Sequence, residues 1–282
     1  MAQADRVVSI LERLHRIHWT SPKNFSFEFD NPAWLSTLDV AASRGVLFWC
    51  DDLNYRELAR SIGVKSVGTV EMLRARHRRG DLFQERVEVA EGALISSYYI
   101  ELGFNRNSMA LAVAQDGGRP RGAAFALTQP ATWEDAEETS GFLIETLDQL
   151  PRDQPEWLRD WVAAATAGLV RATGSDEVAA FGNVAILLSR LLARPWVGTA
   201  EVPWILRGAR GGMSDQSYTT SPVVPVAEAL LEALTQEHGS IVAPQLLRGF
   251  FSQADEEDRL SIARVILLAP QASTDTSRVS GL

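Results

Sequence analysis

The sequence holds a single cysteine, Cys50, among 282 residues. One thiol excludes an internal disulfide framework and any cysteine-based zinc cluster, and it fits a reducing compartment. Lysine is almost missing as well: only Lys23 and Lys65 occur, and every other basic residue is arginine. Long apolar runs are absent. Val184-Ala185-Ile186-Leu187-Leu188 is among the longest, far short of the ~20 residues a membrane span needs. Met1 to Asp5 has neither the basic start nor the apolar core of a signal peptide, so the expected location is cytoplasmic, with no membrane partner. No G-x-G-x-x-G and no P-loop occurs, which removes support for a nucleotide cofactor. Low-complexity tracts are lacking, and no internal repeat stands out.

What is present is an ordinary globular balance, with 46% hydrophobic and 22% charged residues and a mean hydropathy of -0.06. That is too apolar for a disordered chain. The net charge of -9 is unevenly spread: residues 1–90 carry 13 basic and 12 acidic side chains, residues 91–282 carry 14 and 24. Broad, non-specific nucleic-acid binding is disfavoured by such a balance, and any nucleic-acid contact belongs to the first third.

Apolar spacing predicts helices over Arg6 to His18 and Ala33 to Ser43, separated by a loop or irregular strand with Pro22 and Pro32. Val46-Leu47-Phe48-Trp49-Cys50 is a short apolar run between Gly45 and Asp51, as in a strand buried on both faces of a parallel sheet. A helix over Asn54 to Ser61, with Tyr55, Leu58, Ala59 and Ile62 inward, ends at Gly63. Val64 to Val67 is a second extended piece, and Gly68-Thr69 opens a helix running to Arg79. Strand–helix–strand–helix order implies parallel pairing. Beyond about residue 103 the pattern is helical, with segments near 108–115, 122–127, 137–149, 155–173, 177–192, 226–238, 242–251 and 256–268. The predicted fold is mixed but mainly α. An α/β segment over 1–103 with parallel strands is followed by an all-helical domain over 104–270 and a disordered tail over 271–282.

Two adjacent carboxylates at the carboxyl end of a strand, Asp51 and Asp52, are the most informative local feature. Ligands of open α/β sheets bind just outside that end, and aspartate oxygens suit Mg²⁺ or Mn²⁺. If the two strands are neighbours, Asp51 or Asp52, Thr69 and Glu71 converge on one cation. The plainer alternative is that one aspartate caps the helix starting near Asn54.

The run Val46 to Asp52, with Arg56, Leu58-Ala59, Gly63-Val64, Gly68-Thr69 and Leu73, resembles the carboxyl-terminal part of a PIN domain. The likeness covers about Ala33 to Arg79 and is nearest to PIN domains of bacterial multidomain proteins with TPR and GreA/GreB-C-like regions. That resemblance implies a Mg²⁺- or Mn²⁺-dependent ribonuclease, hydrolysing RNA phosphodiesters. It implies that Asp51, Asp52 and Thr69 are catalytic, with Asp51, Asp52 and Asp39 as metal ligands, to which the strand-end spacing adds Glu71. Arg74, Arg76, Arg78 and Arg79 would then grip RNA, although a solvated basic helix end is the plainer account. The family's first aspartate-bearing strand has no clear counterpart in the 50 residues before Asp51, and Phe25 to Asp30 is the sole alternating candidate. A partial or degenerate domain, with upstream domains or a protein partner, is therefore expected.

Two readings compete. One is a non-catalytic protein-interaction module built on the helical half. The other takes Arg56 to Val64, followed by Thr69-Val70, as a helix-turn-helix DNA-binding unit. His15 and His18 share a helix face without nearby carboxylates, Cys50 reads as core, and the later tryptophans read as packing anchors.

Overall fold

The computed structural model describes residues 35–99, 102–214 and 223–268. The expected helix over Arg6 to His18, the histidine pair on it, the alternating stretch Phe25 to Asp30 and the predicted tail lie outside the described residues. The chain divides into two compact units, Met1–Phe83 and Gln84–Leu282.

In the first unit the elements follow in the order α1 (Ser36–Arg44), β1 (Phe48–Trp49), α2 (Leu53–Ser61), β2 (Ser66–Val67) and α3 (Thr69–Arg78). The strands pair in parallel, Phe48 opposite Ser66 and Trp49 opposite Val67. Phe48 N–H donates to the Lys65 carbonyl at 2.9 Å and Cys50 N–H to that of Val67 at 3.0 Å. Helix α2 is the crossover that parallel pairing of successive strands requires. It stops where Gly63 takes φ +79°, a left-handed conformation that lets Val64 N–H reach back to the Ala59 carbonyl at 2.8 Å. The core joins Leu35, Leu38 and Ala41 of the first helical segment to Phe48, Ala59 and Val64. The Phe48 ring meets Tyr55 edge-on, centroids 5.1 Å apart.

Three expectations need correction here. The strand is not buried on both faces: Phe48 is buried, whereas Val46, Leu47 and Trp49 are exposed. Phe48 faces the core, and Leu47 and Trp49 alternate to the opposite face of the strand. Ile62 is likewise exposed, because the helix has already ended at Ser61. The helix-turn-helix reading also gives way. Between α2 and α3 lies β2, hydrogen-bonded in a parallel sheet, where that motif needs a tight turn.

In the second unit α4 (Gln84–Ser96), α5 (Arg106–Gln115) and α6 (Gly122–Leu127) are followed by a 3-10 turn over Pro130–Trp133. Then come α7 (Ala136–Asp148), α8 (Pro155–Ala172), α9 (Glu177–Leu192), α10 (Val202–Met213), α11 (Val223–His238), α12 (Ala243–Phe250) and α13 (Glu256–Leu268). Helices α8 and α10 form its most intimate pair. Gly208 and Gly212 of α10 lie against Arg159, Val162 and Ala163 of α8, so closely that an added Cβ would overlap their backbone or side-chain atoms. Gly208 Cβ, for example, would sit 2.9 Å from Val162 Cβ. No described helix is long and apolar enough to cross a membrane.

Candidate functional site at the carboxyl end of the parallel strands

The chain leaves β1 through Cys50, Asp51 and Asp52, and the two carboxylates part company at once. Asp52 adopts an extended conformation, φ -81° and ψ 117°, and its Oδ1 accepts from Tyr55 N–H at 2.9 Å. It is the N-cap of α2, satisfying one of the donors a helix start leaves open. Its own N–H points to Cys50 Sγ at 3.4 Å. Asp51 instead reaches across the sheet. Its Oδ1 accepts from Thr69 N–H and its Oδ2 from Thr69 Oγ1, both at 2.7 Å. Thr69 is the first residue of α3, so the anionic group sits at the positive end of that helix, where the backbone dipoles favour it. These short bonds tie the end of β1 to the element that follows β2.

Trp49 completes the corner. Its indole Nε1–H donates to Thr69 Oγ1 at 3.2 Å, forming a chain from Trp49 through Thr69 to Asp51. The Thr69 hydroxyl thus accepts from the indole while donating to the carboxylate. Trp49 itself is 61% exposed. Sequence reasoning missed its role. Strand alternation offered the signal, since a residue next to inward Phe48 has to face outward.

Glu71 turns elsewhere. Its Oε2 accepts from Gly68 N–H at 2.9 Å, half of a capping box at the start of α3. Its Oε1 meets Arg56 Nη1 at 3.1 Å. Partial burial pushes the Glu71 pKa up, but its own backbone N–H, the Arg56 charge and the Gly68 N–H outweigh that and hold it below 4.5. Arg56 is fully buried, whereas the Glu71 side chain is half exposed. This guanidinium under the sheet is the second feature that sequence reasoning left without a role. Asp39 is buried in α1, and its carbonyl accepts from Ser43 Oγ at 2.6 Å. Burial raises the Tyr55 pKa, with the nearby Cys50 adding to it and a hydrogen bond from Thr37 opposing it.

The structure therefore brings Asp51 and Thr69 together and directs Asp52 and Glu71 to the starts of two different helices. Among the described residues no group of three or more His, Cys, Asp or Glu side chains is placed to hold a metal ion. The four acids proposed as ligands do not compose a centre by themselves. Asp51 and Asp52 both stand exposed at the strand end, and of the two it is Asp51 whose carboxylate takes both donors of Thr69. Arg74, Arg76, Arg78 and Arg79 are exposed at the other end of α3, where cations complement the carboxyl end of a helix.

A parallel strand–helix–strand–helix unit with an acid at the strand end, facing the first turn of the next helix, defines an α/β ligand-site architecture. Residues 1–61 match a family model described as the PIN domain associated with the TPR-GreAB-C-PIN system. The match takes in Asp39, Asp51, Asp52 and Arg56 and stops at the end of α2, before Thr69, Glu71 and the arginines. No curated protein and no solved structure matches the chain.

Proposed function

We propose that the first unit is a PIN-type element with a ribonuclease-related role, in which Asp51 is the catalytic-site acid and Thr69 its positioning partner. The observation that carries this reading is the double bond-pair from Thr69 to the Asp51 carboxylate at the carboxyl ends of two parallel strands. Cleavage of an RNA phosphodiester by such a domain depends on Mg²⁺ or Mn²⁺. The carboxylates needed beside Asp51 have to come from outside the described residues, because Asp52 and Glu71 cap helices. The exposed arginines at the end of α3 offer an RNA backbone a cationic edge within an otherwise acidic chain.

The test is cleavage of a fluorescent single-stranded RNA by the full chain with Mn²⁺. Wild type is expected to cleave it and Asp51→Asn to fail, while Asp52→Asn, which keeps a capping oxygen, stays close to wild type. Equal activity in Asp51→Asn, or no cleavage by wild type at any Mn²⁺ concentration, overturns the reading. The second reading, a non-catalytic interaction module, is favoured by a different observation: Glu71, Asp52 and Asp51 each hold a helix start or an ion pair in place. It predicts an inert wild type with intact folding.

A further inference from the structure

Between α11 and α13 the second unit has an open groove of about 660 Å³. Its apolar lining comes from Leu231 of α11 and Val265 of α13, both buried, with Leu268 at its end, and α11 also lines it with Glu228 and Glu232. Arg264 stands on the opposite wall. Lining residues on α11 extend from Val224 to Gln236, which at 1.5 Å per residue is a trough about 18 Å long. That is about three helical turns, longer than a compact small molecule needs.

The charges decide what fits. Glu228 and Glu232 are one turn apart on a single face of α11, an arrangement that repels itself. Among the described residues neither glutamate has an ion-pair partner, nor does Arg264. The surrounding region is acidic throughout, with 14 basic against 24 acidic residues over 91–282. Leucines extend the apolar surface past the groove: Leu268, at its end, is 81% exposed and Leu267 beside it 76%. An apolar trough with an unpaired acidic wall is complementary to an amphipathic helix that has lysine or arginine beside its apolar stripe.

We propose that the α11–α13 groove binds a basic amphipathic helix of a partner protein. The apolar stripe of that helix covers Leu231, Val265 and Leu268, and its cations pair with Glu228 and Glu232. Residues 269–282 of this chain are a poor occupant, since their only large aliphatic residues, Val279 and Leu282, do not form a stripe. The inference is independent of any nuclease activity in the first unit.

The test uses the full chain and a labelled peptide of about 14 residues, built of leucine at helical spacing with lysine elsewhere. A peptide of the same pattern with glutamate for lysine is the comparison. Fluorescence anisotropy is expected to show binding of the lysine peptide only. Glu228→Lys/Glu232→Lys should weaken it about tenfold or more, as removal of a paired wall requires. Glu134→Lys/Asp153→Lys, the same charge change at exposed positions outside the groove, should weaken it less than about twofold. Leu267→Ser/Leu268→Ser, at exposed sites that leave folding alone, should also weaken it. Equal loss in both charge-reversed variants, or no binding, overturns the proposal. So does a dimer in light scattering that dissociates in Leu267→Ser/Leu268→Ser, or binding that emerges only after removal of residues 269–282.

Discussion

Replacing Asp51 by alanine tests the arrangement on which the site rests. The substitution removes two 2.7 Å hydrogen bonds, to Thr69 N–H and Thr69 Oγ1, and withdraws a negative charge from the first turn of α3. Hydrogen bonds to charged groups contribute about 1.5–3 kcal/mol each, and exposure to water puts these at the low end. The charge at the helix start adds about 0.3–1 kcal/mol. Thr69 N–H returns to water rather than being left buried, so the bonds do not add in full. The local cost is about 2 kcal/mol, in line with loss of a helix-capping group. Amide hydrogen exchange on the full chain reads that quantity directly. At 1.4 kcal/mol per factor of ten, exchange of Thr69 N–H should accelerate roughly 30-fold in Asp51→Ala. Asp51→Asn keeps one carbonyl acceptor and loses the charge, so about 1 kcal/mol and roughly fivefold is expected. Asp52→Ala is the internal control: it should speed exchange at Tyr55 and leave Thr69 unchanged, because its carboxylate caps α2 alone. If Thr69 exchanges at the wild-type rate in Asp51→Ala, the clamp does not form in solution and the argument from geometry fails. The same measurement guards the nuclease assay, since an Asp51→Asn protein with near-native protection has lost chemistry rather than structure.

Glu71→Gln removes the charge facing buried Arg56 and should destabilise the first unit by about 1–2 kcal/mol, less than a fully buried pair because Glu71 is half exposed. The folded pKa of Glu71 lies below 4.5, so its contribution is present above the unfolded pKa and is lost as pH falls through the folded value. Urea titrations from neutral pH down to about pH 3 should therefore show the wild-type and Glu71→Gln curves converging. Gly212→Ala forces a methyl group into the Ala163 carbonyl and to 2.8 Å from Ala167 N; a loss of about 1–3 kcal/mol in the second unit, seen as a lower Tm, is expected from such overpacking. In Asp148→Asn the carboxylate that accepts from Trp196 Nε1 at 2.6 Å and pairs with Arg194 is neutralised. Burial raises the Asp148 pKa, but the Trp196 bond and Arg194 outweigh that and hold it below the ordinary aspartate value, so near-ultraviolet circular dichroism should show a wild-type Trp196 step only in acid below the usual carboxylate range, a step the variant, whose amide does not titrate there, lacks.

Much of the helical architecture was legible because its signals are local. Glu177–Leu192 and Glu256–Leu268 match their apolar periodicity end to end, and Asp176 caps the former through Ala179 N–H. Helix α10 was not legible, for a physical reason. Pro203, Gly208, Gly211 and Gly212 give Val202–Met213 a poor intrinsic helix propensity, yet the missing side chains are what let it lie against α8. Tertiary contact stabilises that helix, and tertiary contact leaves no local periodic trace. Helix α4 escaped too, since Glu91 lies on its buried side, where Ser108 Oγ donates to it at 2.8 Å, and a buried glutamate blurs the apolar stripe.

At the candidate site, sequence spacing predicts that Asp51 or Asp52 meets Thr69 and Glu71 if the two strands are neighbours, because parallel strands bring their carboxyl ends side by side, and the structure brings Asp51 to Thr69. Spacing did not foresee that meeting would mean hydrogen bonding rather than shared ligation. Residue type alone does not separate these outcomes: an aspartate at a strand end serves equally as a metal ligand, as an N-cap or as a clamp. What separates them is the number of donors within reach. Asp52 has Tyr55 N–H in front of it, Glu71 has Gly68 N–H and the Arg56 guanidinium, and Asp51 has two donors on one residue. A carboxylate surrounded by donors is already neutralised in place, and a cation has to compete with every one of them. To bind a cation Glu71 would have to leave a guanidinium, whereas the donors that Thr69 gives Asp51 are uncharged.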